Sequence, residues 1–223
     1  MISTRLNEIV NLIDRNQNVA DIGSDHGYVL IELRKRGFKS KLLGVENKKA
    51  PFLHLVNNVN SYKDIDINCN LSDGLDNVSE EYSTVILAGM GFKNISCIID
   101  KNKKKVDFID TFIVDAHTDK SKVRHYFLKL GYKIEDEKIV FEDGFFYDLI
   151  KFKKGNTSNS YTPSELEFGP IHLKNKDELF MKMIKKEIDY NNSIIDKIKK
   201  TDATKKIENL NQRNLYLQAL INE

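Results

Sequence analysis

The first 150 residues alternate between short apolar runs typical of strands and amphipathic stretches typical of helices. The apolar runs include NVADIG at 18–23, STVILAG at 83–89 and DTFIVDA at 110–116, and helical patterns such as YVLIELRKRG at 28–37 lie between them. Strands joined by helices require crossover connections, which are right-handed and give a mostly parallel sheet. The pattern therefore predicts an α/β fold in which helices cover a sheet of buried strands.

The alternation stops after residue 131. The segment YKIEDEKIVFEDGFFYDLIKFKK, at 132–154, holds two strand-like runs joined at Glu142-Asp143-Gly144. Asp-Gly between such runs is a strong hairpin signal. A mostly parallel sheet that ends in an antiparallel hairpin favours the class I methyltransferase version of the Rossmann-like fold over the dehydrogenase version, an analogy at the level of the fold alone.

The C-terminal part is predicted to be helical. A polar linker, KKGNTSNSYTPSE at 153–165, precedes apolar residues that recur near helical spacing, and Thr201 or Asp202 is placed to cap the second of two helices. We predict two domains, 1–155 and 156–223, the second being a helical, coiled-coil-like hairpin. Its heptads are too few to indicate an oligomeric state.

Charge and hydropathy limit the class of protein. Residues 1–150 carry 21 Lys/Arg against 23 Asp/Glu, and residues 151–223 carry 14 against 10. A mildly basic tail permits a polyanionic partner, but lysine-rich solvated helices explain it equally well. No apolar stretch approaches the about 18 residues of a membrane span, and no signal-peptide pattern is found. Cys69 and Cys97 match no metal spacing, so we expect a reduced, cytoplasmic setting without a membrane or an obligate protein partner.

A glycine loop follows the first strand-like run. It reads Asp21-x-Gly23-x-Asp25-x-Gly27 and lacks the third glycine that lets a pyrophosphate approach in dinucleotide loops. A methyl donor without phosphate, such as S-adenosylmethionine, does not require this third glycine. An acid at the strand end can take its ammonium group, and glycine leaves room for its sulfonium. The alternative is an ordinary glycine turn with solvated acids.

Further acids follow the next two strands. Glu46 ends the second, where it can accept from both ribose hydroxyls, and Asp73 follows the third, where it can accept from an adenine amino group. Three acids in register predict an adenosine-containing ligand at the carboxyl edge of the sheet. After the fourth strand, Gly89 and Gly91 bracket Met90 in place of a polar-Pro-Pro-aromatic motif. Methylation of an exocyclic amine is therefore disfavoured, and simple close packing of the strand end is the alternative.

Several motifs occur in an order that resembles one family. They are STRL at 3–6, DIGSDHGY at 21–28, GVE at 44–46, SDGL at 72–75, AGMG at 88–91, EDGFFY at 142–147 and FGP at 168–170. Together they look like the TrmK family of bacterial tRNA (adenine-22-N1)-methyltransferases over nearly the whole chain. The resemblance implies a class I methyltransferase domain with a helical appendage, S-adenosyl-L-methionine as cofactor, tRNA as partner and N1 of an adenine as methyl acceptor.

Site residues are carried over by their positions in these motifs. Asp25 matches the acid that faces the reacting adenine, and we expect it to be catalytic. The expected cofactor-binding residues are Asp21, Gly23, His26, Glu46, Asn47, Asp73, Gly74, Leu75, Ala88, Gly89, Met90 and Gly91. The expected substrate-binding residues are Arg5, Phe92, His117 and Tyr147. No metal is expected, because no cluster of His, Cys and Asp stands out.

Two departures from the family pattern affect the acceptor side. Phe92 stands where a second glycine is usual, and Asp115-Ala116-His117 stands where Gln-Pro-Asn is usual. His26 is also readable as a structural residue, and His54 as a surface residue. Two other functions are consistent with the sequence. One is a methyltransferase for another RNA or a small molecule, and the other is an RNA-binding module that keeps the cofactor fold without turnover.

Overall fold

The chain divides into two compact units, Met1–Glu167 and Phe168–Glu223. A computed structural model describes the residues 2–63, 65–155, 160–199 and 203–222. The expected caps Thr201 and Asp202 lie outside the described residues, as does the 156–159 part of the expected linker. The boundary between the units falls later in the chain than the division expected at 155/156.

A seven-stranded sheet forms the centre of the first unit. Its strands are β1 (Val19–Ile22), β2 (Leu42–Glu46), β3 (Asn68–Leu71), β4 (Thr84–Met90), β5 (Thr111–Ala116), β6 (Tyr132–Glu142) and β7 (Phe145–Lys154). Their spatial order is β3-β2-β1-β4-β5-β7-β6. Strands β1 to β5 are mutually parallel, whereas β7 runs antiparallel to both β5 and β6. The prediction of a mostly parallel sheet that ends in an antiparallel hairpin is confirmed.

Helices connect the strands and form the rest of the chain. The first unit contains α1 (Thr4–Asn11), α2 (Tyr28–Lys35), α3 (Lys49–Asn60), α4 (Phe92–Lys101), α5 (Lys103–Val106) and α6 (Lys120–Lys129), and α7 (Pro163–Phe168) ends at the boundary. The second unit contains α8 (Pro170–Asn175), α9 (Glu178–Ile198) and α10 (Thr204–Asn222). Across the described parts of the chain, every helix is too short or too polar to traverse a bilayer.

The two long C-terminal helices pack on each other through apolar and polar contacts. Asn191 on α9 donates from Nδ2 to Oδ1 of Asn214 on α10 at 2.9 Å, and both residues are buried. Arg213 also donates from Nε to Oε1 of Glu187 at 2.8 Å. A buried amide pair costs stability in an apolar seam but fixes which residues face each other.

The inner strands explain why acids collect at one edge of the sheet. Every residue of β1, β2 and β5 is buried, so their sequences are nearly continuous apolar runs. The charged exceptions are Asp21, Glu46 and Asp115, which occur towards the carboxyl ends of these strands and are all less than one tenth exposed. Parallel strands end at the same edge, and ligands of such sheets bind there.

Candidate active site

The loop between β1 and α2 is built from left-handed backbone conformations. Gly23, Asp25 and Gly27 have φ angles of +75°, +45° and +67°. For a side-chain-bearing residue this region costs on the order of 1 kcal/mol, although Asp tolerates it better than most. Glu46 holds the strained position, because its Oε1 accepts a hydrogen bond from the Asp25 amide at 2.6 Å. The acid at the end of β2 therefore fixes the backbone of the acid in the loop.

Gly27 permits α3 to pack directly on this loop. A Cβ added at Gly27 would lie 2.6 Å from Cδ1 of Leu55, and one added at Gly44 on β2 would lie 2.9 Å from Cδ2 of the same residue. Both separations are shorter than real carbon–carbon contacts. The loop, β2 and α3 are thus locked together, which gives the site a rigid floor.

Two cavities open beside this loop and share Gly23. They have volumes of about 380 Å³ and 360 Å³, in the range of small-molecule sites. Of the expected site residues, the first cavity is lined by Arg5, Asp21, Gly23, Asp25, His26, Ala88 and Gly89. The second is lined by Gly23, Glu46, Asn47, Asp73, Gly74 and Met90. Leu75 is fully buried and Gly91 is half-buried, and neither is among the residues that line these two cavities.

Asp21 is the buried acid of the first cavity. Its Oδ2 accepts a hydrogen bond from Oγ of Ser24 at 2.9 Å. Burial raises the pKa of Asp21 from its ordinary value of 3.8 to about 7, the nearby Glu46 charge adds to the rise, and the Ser24 hydrogen bond opposes it. The carboxyl group is therefore balanced between its two protonation states near neutral pH, and a cationic ligand group would favour the ionised one.

The second cavity offers acceptors and one unsatisfied hydroxyl. Asp73 is exposed, and its Oδ2 lies 2.9 Å from Nζ of Lys101, which also pairs with Asp76 at 2.9 Å. Oγ of Ser72 is buried and has no hydrogen-bond partner among the described residues. A buried polar atom without a partner is rare in folded proteins. Together with Glu46, this donor–acceptor set fits a ligand that carries hydroxyl and amino groups, as the adenosine part of S-adenosyl-L-methionine does.

Arg5 reaches the sheet edge from α1. Its Nη1 lies 2.5 Å from Oδ2 of Asp115, and its guanidinium carbon lies 4.8 Å from the ring centroid of Tyr147. Asp115 is 1% exposed, and its Oδ1 has no hydrogen-bond partner among the described residues. Burial raises the pKa of Asp115, and the charge of Arg5 opposes the rise. The contact between Arg5 and Tyr147 brings together two expected substrate-binding residues that are far apart in sequence.

His117 and Tyr147 line a third cavity, of about 280 Å³, next to this ion pair. Their ring centroids lie 6.1 Å apart in an edge-on arrangement. Lys120 and Phe145 also line this cavity, and Phe145 is 67% exposed. Aromatic rings beside a cationic side chain are what an unstacked nucleobase and its phosphate require. The structure thus places Arg5, His117 and Tyr147 as neighbours.

Asp25 lies in a cluster that the sequence did not indicate. Nε2 of His26 is 3.6 Å from Oδ2 of Asp25, and the ring of His54 stacks on His26 with centroids 5.6 Å apart. One ligand atom from each of the three residues lies within 4.8 Å of the others, an arrangement that could also hold a transition-metal ion. The sequence analysis did not single out this cluster, because His54 belongs to α3 and meets the loop only through tertiary packing.

Phe92 is separated from the other expected substrate-binding residues. It is the first residue of α4, and its ring meets the ring of Tyr126 on α6 edge-on, with centroids 5.8 Å apart. Both line a cavity distinct from those that contain Asp25, Glu46 and Tyr147. The first turn of α4 therefore places this ring beside α6.

Three more residues contribute polar groups that the sequence analysis did not select. Ser24 supports Asp21, Ser72 lines the second cavity, and Asp115 anchors Arg5. Hydroxyls inside the motifs DIGSDHGY and SDGL were a usable signal for the two serines. Asp115 stands within the Asp-Ala-His departure, and its partner could not be inferred across 110 positions.

The chain is similar to known tRNA methyltransferases in sequence and in fold. A family model described as TrmK, tRNA (adenine(22)-N(1))-methyltransferase, matches residues 19–218. The chain is 27% identical over 230 residues to the tRNA (adenine(22)-N(1))-methyltransferase of Bacillus subtilis (strain 168), with 99% of this chain and 97% of that protein covered. It is also similar to the structure of M. capricolum TrmK in complex with S-adenosyl-homocysteine, with a TM-score of 0.82 and 26% identity over 100% of this chain and 98% of that one. A Streptococcus pneumoniae protein solved with S-adenosyl-L-methionine shares the fold, with a TM-score of 0.86 and 24% identity over 99% of this chain and 100% of that one.

Proposed function

The chain belongs to the TrmK family of tRNA (adenine(22)-N(1))-methyltransferases, and from this premise we propose that it methylates N1 of adenine 22 in tRNA with S-adenosyl-L-methionine as donor. The observation that carries the assignment of roles is the meeting of two cavities at Gly23. One holds the acids suited to a nucleoside, and the other joins Asp21 to Asp25 and Arg5.

The residues around Gly23 suit the parts of the donor. The cofactor supplies a methyl group on a positively charged sulfur. Asp21 would accept from the ammonium group, Glu46 from the ribose hydroxyls and Asp73 from the adenine amino group. Because Lys101 already pairs with Asp73, the adenine would share that carboxylate with the lysine.

The acceptor needs positioning more than activation. N1 of adenine carries a free lone pair near neutral pH, so no base has to remove a proton before the methyl group is transferred. Positive charge develops on the ring, and the N6 amino group becomes more acidic. We assign Asp25 to accept a hydrogen bond from that amino group and to stabilise the charge. Its side chain is 57% exposed, so a base can approach it from solvent.

The target base must leave its stack to reach Asp25. N1 lies on the Watson–Crick edge, and exposing it in structured RNA costs a few kcal/mol. Arg5, His117 and Tyr147 stand next to the first cavity or line it, and they offer a cation and two ring faces for the exposed base. We also propose a cytoplasmic site of action, because tRNA is the substrate and Cys69 and Cys97 are both free thiols.

The test uses two tRNA transcripts that differ only at position 22. Purified protein is incubated with S-adenosyl-L-methionine and either transcript, and the nucleosides are analysed by mass spectrometry. EDTA is included so that a metal ion at Asp25, His26 and His54 does not contribute. We expect 1-methyladenosine with adenine at position 22 and none with guanine there. Equal methylation of both transcripts, or none of either, would exclude the proposed reaction.

A further inference from the structure

The cavity beside Phe92 has no role in the proposed reaction. It has a volume of about 370 Å³ and is lined by Phe92 from α4, by Lys122, His125, Tyr126 and Lys129 from α6, and by Leu166 from α7. We name it the Phe92 cavity. We propose that it binds one unstacked nucleotide of the tRNA next to the target adenine, with the base on the aromatic rings and the phosphate on the lysines. This inference rests on the proposed tRNA substrate.

The aromatic part of the cavity is held in place before any ligand binds. Phe92 and Tyr126 are half-buried and meet edge-on, at an interplanar angle of 78°. The Tyr126 hydroxyl contacts the backbone oxygen of Ser96 at 3.4 Å and hydrogen bonds to Asp100. Little side-chain entropy therefore remains to be lost when a base stacks there. Base–aromatic stacking is a major source of affinity for unpaired nucleotides.

The rim of the Phe92 cavity carries positive charge. Lys122, His125 and Lys129 are exposed, and no carboxylate is found among the described residues that line the cavity. Lys122 pairs with Asp119 at 2.6 Å, but both partners are exposed, so the pair is weak. A phosphate can compete for this lysine. Aromatic walls with a cationic rim match a nucleotide better than they match an uncharged or cationic ligand.

The position of Phe92 along the chain limits which nucleotide can occupy the cavity. It follows Gly89, which lines the cavity of Asp25, by three residues, and three residues span at most about 11 Å. Phe92 therefore lies within about 11 Å of a residue that lines the cavity of Asp25, which makes a nucleotide close to the target adenine the candidate occupant. Without the ring of Phe92 the cavity would lose one wall.

Fluorescence of 2-aminopurine tests the inference directly. The probe replaces either nucleotide next to the target adenine, and stacking on an aromatic ring quenches it. We expect quenching with the wild-type protein and loss of quenching with Phe92→Ala. The Kd for tRNA should rise about 5- to 150-fold, the range given by the loss of one stacked base. Phe92→Leu keeps apolar bulk without a ring and should behave like Phe92→Ala if the role is stacking.

Two controls separate this site from the rest of the protein. The affinity for S-adenosyl-homocysteine, measured by calorimetry, should stay at the wild-type value in both Phe92 variants, which also shows that they fold. Lys122→Gln and Lys129→Gln should each lower the slope of log K against log salt by about 1, whereas the exposed Lys138→Gln on β6 should leave it unchanged.

The possible results separate a failure of this inference from a failure of the proposed methyltransferase function. If the wild-type protein methylates tRNA while both Phe92 variants keep wild-type quenching and Kd, the Phe92 cavity is not a nucleotide site and the function stands. If the wild-type protein neither binds nor methylates tRNA, the proposed function fails, and the inference fails with it.

Discussion

Cofactor binding should remove a proton from Asp21. Its folded-state pKa is about 7, whereas an unfolded Asp titrates near its ordinary value of 3.8. The ammonium group of the donor would bind the ionised form and not the protonated one. Binding should therefore be coupled to ionisation, and its strength should depend on pH between about 6 and 8.

The size of the effect follows from the pKa. With a pKa of about 7, roughly one molecule in eleven is ionised at pH 6, and about ten in eleven are ionised at pH 8. The apparent affinity is proportional to the ionised fraction of Asp21. It should therefore rise about tenfold between pH 6 and pH 8. The unbound protein should show the opposite trend. Because the folded-state pKa is raised, the folded state holds a proton that the unfolded state has lost, and stability should fall by about 1.4 kcal/mol over the same range.

Calorimetric titration measures both the affinity and the proton. S-adenosyl-homocysteine is titrated at pH 6, 7 and 8 in buffers of different ionisation enthalpy, which gives the number of protons released. A matched ligand is 5′-methylthioadenosine, which lacks the ammonium group and should bind with a flat pH profile. Asp21→Asn should bind S-adenosyl-homocysteine weakly and with a flat profile, while the exposed Asp66→Asn should behave like the wild type.

Retention of the tenfold pH dependence in Asp21→Asn would refute this reasoning. The imidazole of His26 lines the same cavity. The asparagine variant separates the two groups, because it removes the carboxyl group and leaves the imidazole in place.

Four further predictions follow from the structure. Asp25→Asn should lower the single-turnover methylation rate about 10²- to 10⁴-fold, and a wild-type rate would exclude its role. In urea unfolding, Gly27→Ala should lose about 1–3 kcal/mol more stability than Gly37→Ala, since both have positive φ but only the first meets a neighbour within 4 Å, and equal losses would contradict this. Arg5→Met should lower the free energy of unfolding by about 3 kcal/mol at pH 8 and by less in more acidic solution, since burial raises the pKa of its partner Asp115, whereas Arg15→Met should show neither effect. Filter binding of tRNA should weaken about 10³- to 10⁵-fold between 50 and 200 mM salt if six to ten phosphates are contacted, and a flat response would exclude electrostatic docking.

The sheet could be predicted because its signals are local. Apolar runs, glycine turns and the Asp-Gly hairpin each specify a few neighbouring residues, and the right-handed crossover rule assembles them into one topology. The acids at the strand ends could be predicted for the same reason. Asp21 and Glu46 lie at the carboxyl ends of neighbouring parallel strands, so a parallel sheet places them close together.

The acceptor side depends on contacts between distant segments, which the sequence does not display. Arg5 meets Asp115 through the packing of α1 on the sheet, and His54 meets Asp25 through α3. The direction of Phe92 depends on where α4 begins, because one residue of difference at a helix start turns a side chain by about 100°. The positions of these side chains could therefore be found only from the three-dimensional structure.

The hydrogen bond from the Asp25 amide to Glu46 has a consequence for how variants of this protein are interpreted. A substitution at Glu46 would remove a ribose acceptor and also release the left-handed backbone of Asp25. Such a variant would show both a higher Michaelis constant for the donor and a lower turnover number, although Glu46 would contact only the donor and not the tRNA. Effects of paired substitutions at these positions should not add, since both act on one conformation. During evolution, a substitution at Glu46 would therefore change donor affinity and catalytic rate together.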